Sequence, residues 1–310
     1  MRFWLSLAVV LGIAGFAIAA MDNEYYFFAA YVVLQFVVLA TAWNILGGYA
    51  GYVNFGTAAF FGIGAYTGVF LVKAFQLPLL LQILAAACVG ALLGLGVGLL
   101  TLRLRGIFFA IATVAVTIIV ETMIINWRYV GGATGIQILR PEPIWPFTSY
   151  IEMLFFVALL LAIVSVIVAR YIQTSWIGRG LRAIRDSEEA AECTGVPTLK
   201  LKLAACVISG ALMSAAGAPL AMYQSYVEPV SAFNLTYSVS ALAMPLIGGT
   251  AHWIGPVLGA LLLGSVQQIV TVTISSELNV LVVGVLLVVF VVAAPEGIVG
   301  LYRRILGRKG

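Results

Sequence analysis

Apolar runs of about 20 residues recur along this chain, and they exclude almost every architecture except a bundle of membrane-spanning helices. A hydrocarbon layer roughly 30 Å thick offers no water to backbone N–H and C=O groups. A segment crossing it as a helix therefore satisfies them internally over about 20 residues. Runs of this kind fall at 3–20, 27–46, 53–72, 79–101, 106–125, 151–169, 203–222, 239–248, 256–272 and 279–295, which makes about ten. With 63% hydrophobic and 9% charged residues, the 310-residue chain has too little polar surface for a water-soluble globule. Alternating ten-residue segments of a barrel are not seen. The fold expected is all-α: a polytopic membrane protein of about ten transmembrane helices, some broken or re-entrant, forming one transmembrane domain over residues 1–310.

Charge placement tests that reading. Lys and Arg collect in cytoplasmic loops, so one alternating path should put the basic clusters on one side. With Arg2 inside, Arg103, Arg105, the stretch 170–202 and the tail residues Arg303, Arg304, Arg308 and Lys309 also fall inside, thirteen of the sixteen basic residues. Lys73, Arg128 and Arg140 fall outside. The net charge of +4 thus reads as a topology signal, with lipid rather than nucleic acid as the contact. The start, Met1-Arg2 and then an apolar run to Ala17-Ile18-Ala19, is expected to be an uncleaved first span. It also resembles a secretory signal, and either reading leaves Asp22, Asn23 and Glu24 outside.

Segments 53–72 and 239–248 are the least regular. One holds Asn54, Gly56, Gly62 and Gly64, and the other is short. Irregular backbone at membrane depth is tolerated where protein or a water-filled cavity surrounds it. Glycines spaced four apart, at Gly90, Gly94 and Gly98, Gly64 and Gly68, and Gly255 and Gly259, share a helix face and predict close helix packing.

Little in the sequence suggests catalysis. No Ser/His/Asp or Cys/His arrangement is present, and His252 has no second metal ligand nearby. Cys88, Cys193 and Cys206 lack CxxC spacing, and no GxxxxGK[ST] loop occurs. The chain is expected to be no enzyme and to hold no cofactor of its own. If ATP drives it, another chain binds the ATP.

Polar residues within spans mark a solute route, because in lipid they are costly unless they face the bundle interior or water. Gln35, Asn44, Asn54, Thr57, Glu121, Gln267 and Gln268 qualify. Asn44, Asn54, Thr57 and Glu121 are the pathway candidates. Asn54 sits where irregular backbone could meet a zwitterion. Glu121 lies near the external end of its span, where it could snorkel or pair with Arg128. The external loop 127–150, with Pro141, Pro143 and Pro146, could cap the route or receive a binding protein. Its Gly131, Gly132 and Gly135 suit a tight turn.

The cytoplasmic loop 171–202 is the longest polar segment. From Leu181 to Thr194 it predicts a short surface helix, stopped by Gly195 and kept from continuing by Pro197. One turn apart, Arg182 can meet Asp186 and Arg185 can meet Glu189. Ile184, Ala190 and Ala191 offer small apolar surface for docking, and the charges around them could orient a partner.

Glu189-Ala190-Ala191 followed by Gly195 resembles the EAA…G signature of bacterial ABC-importer permeases, without its I-x-L-P continuation. Other stretches resemble the LivM-type branched-chain amino acid permeases. These are Gly48 to Gly56 leading into Ala58 to Tyr66, Arg103 to Thr113, Gly131 to Ile136, and Gly248-Gly249-Thr250 with Gly255-Pro256. The likeness runs from about residue 30 to 300. It implies a permease of the bacterial inner membrane, working with a second homologous permease subunit, two cytoplasmic ATPase subunits that bind ATP, and an external solute-binding protein. It also implies that Arg182, Arg185, Glu189, Ala190, Ala191 and Gly195 couple the chain to the ATPases.

The function expected is therefore a permease subunit of an ATP-driven importer for branched-chain or related amino acids. Urea or short amides are alternative solutes. An ion-coupled secondary transporter is the alternative of another class, and it would need a membrane-embedded acid for which only Glu121 is available.

Overall fold

A computed structural model describes residues 24–138, 147, 149–273, 278–294 and 297–301. The first predicted span, Arg140, the three prolines of the external loop and the basic tail lie outside these residues. Among the described residues, eight helical segments are long and apolar enough to cross a membrane: Glu24–Ala50, Thr57–Phe75, Leu79–Thr101, Ile107–Ile125, Tyr150–Thr174, Thr198–Gln224, Pro229–Gly248 and Ile254–Val272. The tenth predicted run appears as a shorter helix, Leu278–Ala293.

In chain order the helices are α1 (Glu24–Ala50), α2 (Thr57–Phe75), α3 (Leu79–Thr101), α4 (Ile107–Ile125), α5 (Tyr150–Thr174), α6 (Trp176–Asp186), α7 (Glu188–Cys193), α8 (Thr198–Gly217), α9 (Leu220–Gln224), α10 (Pro229–Ala232), α11 (Leu235–Gly248), α12 (Ile254–Thr273) and α13 (Leu278–Ala293). Helices α1 and α8 form the centre. Helix α1 packs on α5, α8, α11 and α12, and α8 packs on α1, α2 and α3. On α3 and α4, Leu84, Leu92, Leu100, Ile107, Phe108, Ile111, Ile118 and Met123 face outward, as a lipid-contacting surface requires.

Small residues set the closest approaches. At Gly90, Gly94, Gly64 and Gly68 an added Cβ would run into α8 or the residue just after it, and at Gly255 and Gly259 into backbone around α11. The four-residue spacing therefore marks helix contacts, as predicted.

Two expectations about broken spans resolve differently. Residues 57–75 form an unbroken helix, and the irregular backbone is the stretch 51–56 before it. The segment read as 239–248 begins earlier. Pro229 opens α10 at its first turn, Asn234 caps α11 by accepting the Thr236 N–H at 2.9 Å, and together they give a 20-residue interrupted crossing. Ser231, Asn234, Thr236 and Ser238 hide this span from a hydropathy reading.

Among the described residues, contacts between loops support the predicted alternation. On the side predicted to be external, Lys73 donates to the Tyr129 carbonyl at 2.6 Å, and Tyr226 Oη donates to the Thr134 carbonyl at 2.6 Å. There too a two-residue strand β1 (Ile136–Gln137) pairs antiparallel with β2 (Tyr226–Val227), Ile136 opposite Val227. Gly131, Gly132 and Gly135 all take positive φ in the turns leading into β1. On the side predicted to be cytoplasmic, Gln173 donates to the Ala251 carbonyl at 3.2 Å and accepts the Trp253 N–H at 3.0 Å.

Candidate functional site

The cytoplasmic segment is not one helix. Ser187 ends α6 and caps α7, its Oγ accepting the Ala190 N–H at 3.3 Å. A Ser with extended backbone (φ −163°) cannot continue α6, and its side chain supplies the cap that α7 needs. The break separates Arg185 from Glu189, while Arg182 and Asp186 stay together on α6; neither predicted pair is among the ion pairs of the described residues, because both arginines turn to backbone carbonyls. Arg182 instead donates to the Gln173 carbonyl at 3.3 Å, and Arg185 donates to the Gly48 carbonyl at 2.8 Å. Both guanidiniums thereby reach the last turns of spans, where free carbonyls carry the negative end of the helix dipole.

Helix α7 ends as the sequence predicts. The Val196 N–H bonds the Ala191 carbonyl at 3.0 Å and the Gly195 N–H bonds the Glu192 carbonyl at 2.9 Å, a Schellman closure with Gly195 at φ +82°. Of the predicted docking surface, only part faces outward. Glu189 and Ala190 are exposed, whereas Ile184 and Ala191 are buried in a cluster with Tyr49, Tyr52, Phe109 and Leu181. Their apolar side chains anchor α6 and α7 onto the bundle and leave Glu189 and Ala190 exposed.

Four residues that sequence reasoning passed over hold this anchor. Lys202, buried at the start of α8, donates to Glu188 Oε1 at 2.6 Å, Tyr52 Oη at 3.0 Å and the Leu102 carbonyl at 3.2 Å. Tyr52 Oη donates to Glu188 Oε2 at 2.6 Å. Arg105 lies 3.7 Å from Glu188 and 3.0 Å from Glu189. A buried ammonium needs every donor satisfied, and here all three have acceptors. Burial alone would push the Glu188 carboxyl up. The hydrogen bonds from Lys202 and Tyr52, with the Lys202 and Arg105 charges, outweigh it and hold the carboxyl below its usual range. The only hint in the sequence was a Lys at the mouth of a long apolar run.

Tyr52 belongs to the irregular stretch that holds Asn54. Four polar backbone groups around Phe55 are met by side chains. Its N–H donates to Thr113 Oγ1 at 3.0 Å and its carbonyl accepts from Ser238 Oγ at 2.6 Å. The Asn54 carbonyl accepts from Trp43 Nε1 at 2.7 Å, and Asn54 Oδ1 accepts the Gly56 N–H at 2.7 Å. This is non-helical backbone held by protein side chains and bordering a cleft, the settings in which such backbone is tolerated at membrane depth. A cleft of about 470 Å³ opens beside it, lined by Gly51, Tyr52, Val53, Phe55, Ile107 and Ala110.

Of the pathway candidates, Asn44, Asn54 and Thr57 are buried. Asn44 Nδ2 donates to the Thr250 carbonyl at 3.1 Å, while Asn44 Oδ1, Thr57 Oγ1 and the nearby Thr41 Oγ1 are buried with no protein partner. Oxygens of this kind suit water or a polar solute. Glu121 is apart from them, half-buried on α4, and it forms no ion pair with Arg128. Gln35 donates to Tyr31 Oη and to the Ala216 carbonyl, each at 3.2 Å. Gln267 donates to Ser240 Oγ at 3.2 Å, and Gln268 is half-buried on α12. The His252 ring accepts the Ile254 N–H at 3.3 Å.

Comparison with known proteins places this geometry. Residues 25–291 match the family described as branched-chain amino acid transport system / permease component. The chain is similar to the high-affinity branched-chain amino acid transport system permease protein LivM of Salmonella typhimurium, 29% identical over 299 residues, covering 88% of this chain and 70% of the relative. LivM of Escherichia coli is 28% identical over the same length and the same shares. A probable branched-chain amino acid transport permease protein LivH of Methanocaldococcus jannaschii is 23% identical over 266 residues, 80% of this chain and 82% of the relative. No solved structure matches.

Proposed function

The chain belongs to the family of permease components of branched-chain amino acid transport systems, of the LivM type, and from that premise we propose that it imports branched-chain or related amino acids. It is a multi-pass protein of the bacterial inner membrane and a permease of an ABC transporter, not an enzyme; ATP hydrolysis lies in partner subunits. In the proposed assembly a second homologous permease lies beside it, two ATPase subunits dock from the cytoplasm, and a solute-binding protein delivers leucine, isoleucine or valine from outside.

The observation that carries the coupling is α7. It presents Glu189 and Ala190 outward, ends at Gly195, and is held to α8 by the Glu188–Lys202 bond, to the 51–56 stretch by the Glu188–Tyr52 bond, and to the bundle by the buried Ala191. A partner pushing on such a helix moves span ends rather than a slack loop. ATP-driven closure of the ATPases would tilt the spans between two packed states, with Asn44, Asn54 and Thr57 along the route.

The test is reconstitution with the ATPases, the second permease and the binding protein, measuring uptake of leucine and of urea with and without ATP. Leucine uptake that requires ATP is the expected result. Uptake that persists without ATP and collapses with the ion gradient overturns the reading, and ATP-driven uptake of urea alone reassigns the solute.

A further inference from the structure

Consecutive residues of α7 face opposite ways. The Glu189 side chain is 81% exposed, and that of Glu188 is 14% exposed. Each oxygen of Glu188 holds a different element. Oε1 takes the Lys202 ammonium at the start of α8, and Oε2 takes the Tyr52 hydroxyl at the start of the irregular stretch 51–56. Lys202 also donates to Tyr52, closing a three-membered ring of hydrogen bonds.

From Tyr52 the chain runs through Val53 to Asn54. The Asn54 side chain braces Gly56, the residue that precedes α2. The docking helix is thus tied by side-chain bonds to the backbone segment beside the pathway candidates. We propose that Glu188 and Tyr52 are positioning residues for transport, relaying displacement of α7 into the 51–56 stretch. This rests on the reading of α7 as the ATPase-docking helix.

A carboxylate is suited to the task because it accepts from two donors arriving from different elements. Glutamine offers one acceptor oxygen and an amide that can only donate, so at nearly constant volume Glu188→Gln removes the acceptor of the Tyr52 hydroxyl proton and the charge that pairs with Lys202. Tyr52→Phe deletes a single oxygen and leaves the ring that packs edge-on against Phe109.

Both variants are tested in the reconstituted complex, with ATP hydrolysis and leucine uptake measured in the same vesicles. Hydrolysis is expected to stay within about twofold of the unmutated complex while uptake falls about tenfold, the size of effect that loss of a charged hydrogen bond produces. ATP consumed per leucine then rises in step. Proportional loss of hydrolysis and uptake would assign the ring to docking or assembly alone and overturn the relay, as would unchanged uptake. Should Glu188→Gln fail to assemble, Tyr52→Phe decides by itself. Failure of the parent reading shows separately, as absence of ATP-dependent uptake in the unmutated complex.

Discussion

The Lys202 ammonium lies 2.6 Å from Glu188 Oε1, and the two ends of this pair are buried unequally, with 4% of the lysine side chain exposed against 14% of the glutamate. Pairs of this kind contribute little relative to an apolar replacement but cost much when half is removed. Lys202→Met, which leaves Glu188 only the Tyr52 hydroxyl and the exposed Arg105 as partners, is expected to destabilise by less than the about 3–5 kcal/mol that a fully uncompensated buried charge costs. Melting in detergent should show a lowered midpoint. Adding Glu188→Leu, which removes the remaining charge, should recover part of the loss.

Acid should loosen the same site. The Glu188 carboxyl is held below its usual value of 4.5, so it binds fewer protons folded than unfolded. Its contribution is fully present above that usual value and is lost as pH falls through the lower folded one. The difference in melting midpoint between the unmutated chain and Glu188→Gln is therefore expected to be constant from pH 8 to about 5 and to shrink below that. A difference that grew on acidification would contradict the ring.

Packing predicts a contrast between two glycines. A Cβ at Gly259 collides with the Met244 carbonyl on α11, whereas a Cβ at Gly96 meets nothing within 4 Å. Gly259→Ala should depress yield and lower the melting midpoint. Gly96→Ala should leave both unchanged or improve stability by about 0.5–1 kcal/mol, the usual gain in a helix interior.

Topology can be read from a native thiol. Cys193 is exposed on α7 and Cys206 is buried in α8. An impermeant maleimide should label Cys193 in inside-out vesicles and leave it unlabelled in right-side-out ones. Labelling with the opposite sidedness would invert the whole path.

Which features the sequence could reveal depended on the range of the physics involved. Hydropathy and basic-loop placement are averaged over whole segments, so the alternation of spans survived even where boundaries moved. Gly195 was readable because a helix stop is decided by one residue's backbone freedom. Ser187 was not, since Leu181 to Thr194 has helical periodicity throughout and the break comes from a single cap. The Lys202–Tyr52 bond joins residues 150 positions apart, a pairing no local spacing can announce. Asn54 and Thr57 drew notice as polar residues near an apolar run, whereas Thr113 and Ser238, which satisfy the backbone of Phe55, look like ordinary helix residues until their partner is known.

Among the described residues, the bonds linking separate loops stay within one face of the membrane: Lys73, Tyr129, Thr134 and Tyr226 on one, Tyr52, Arg105, Gln173, Glu188 and Lys202 on the other. The bundle is hooped twice, as staves are, by two bands with no shared fastening. In the proposed transport cycle, one band would slacken while the other stays tight, so that the two mouths of a route through the staves open by turns.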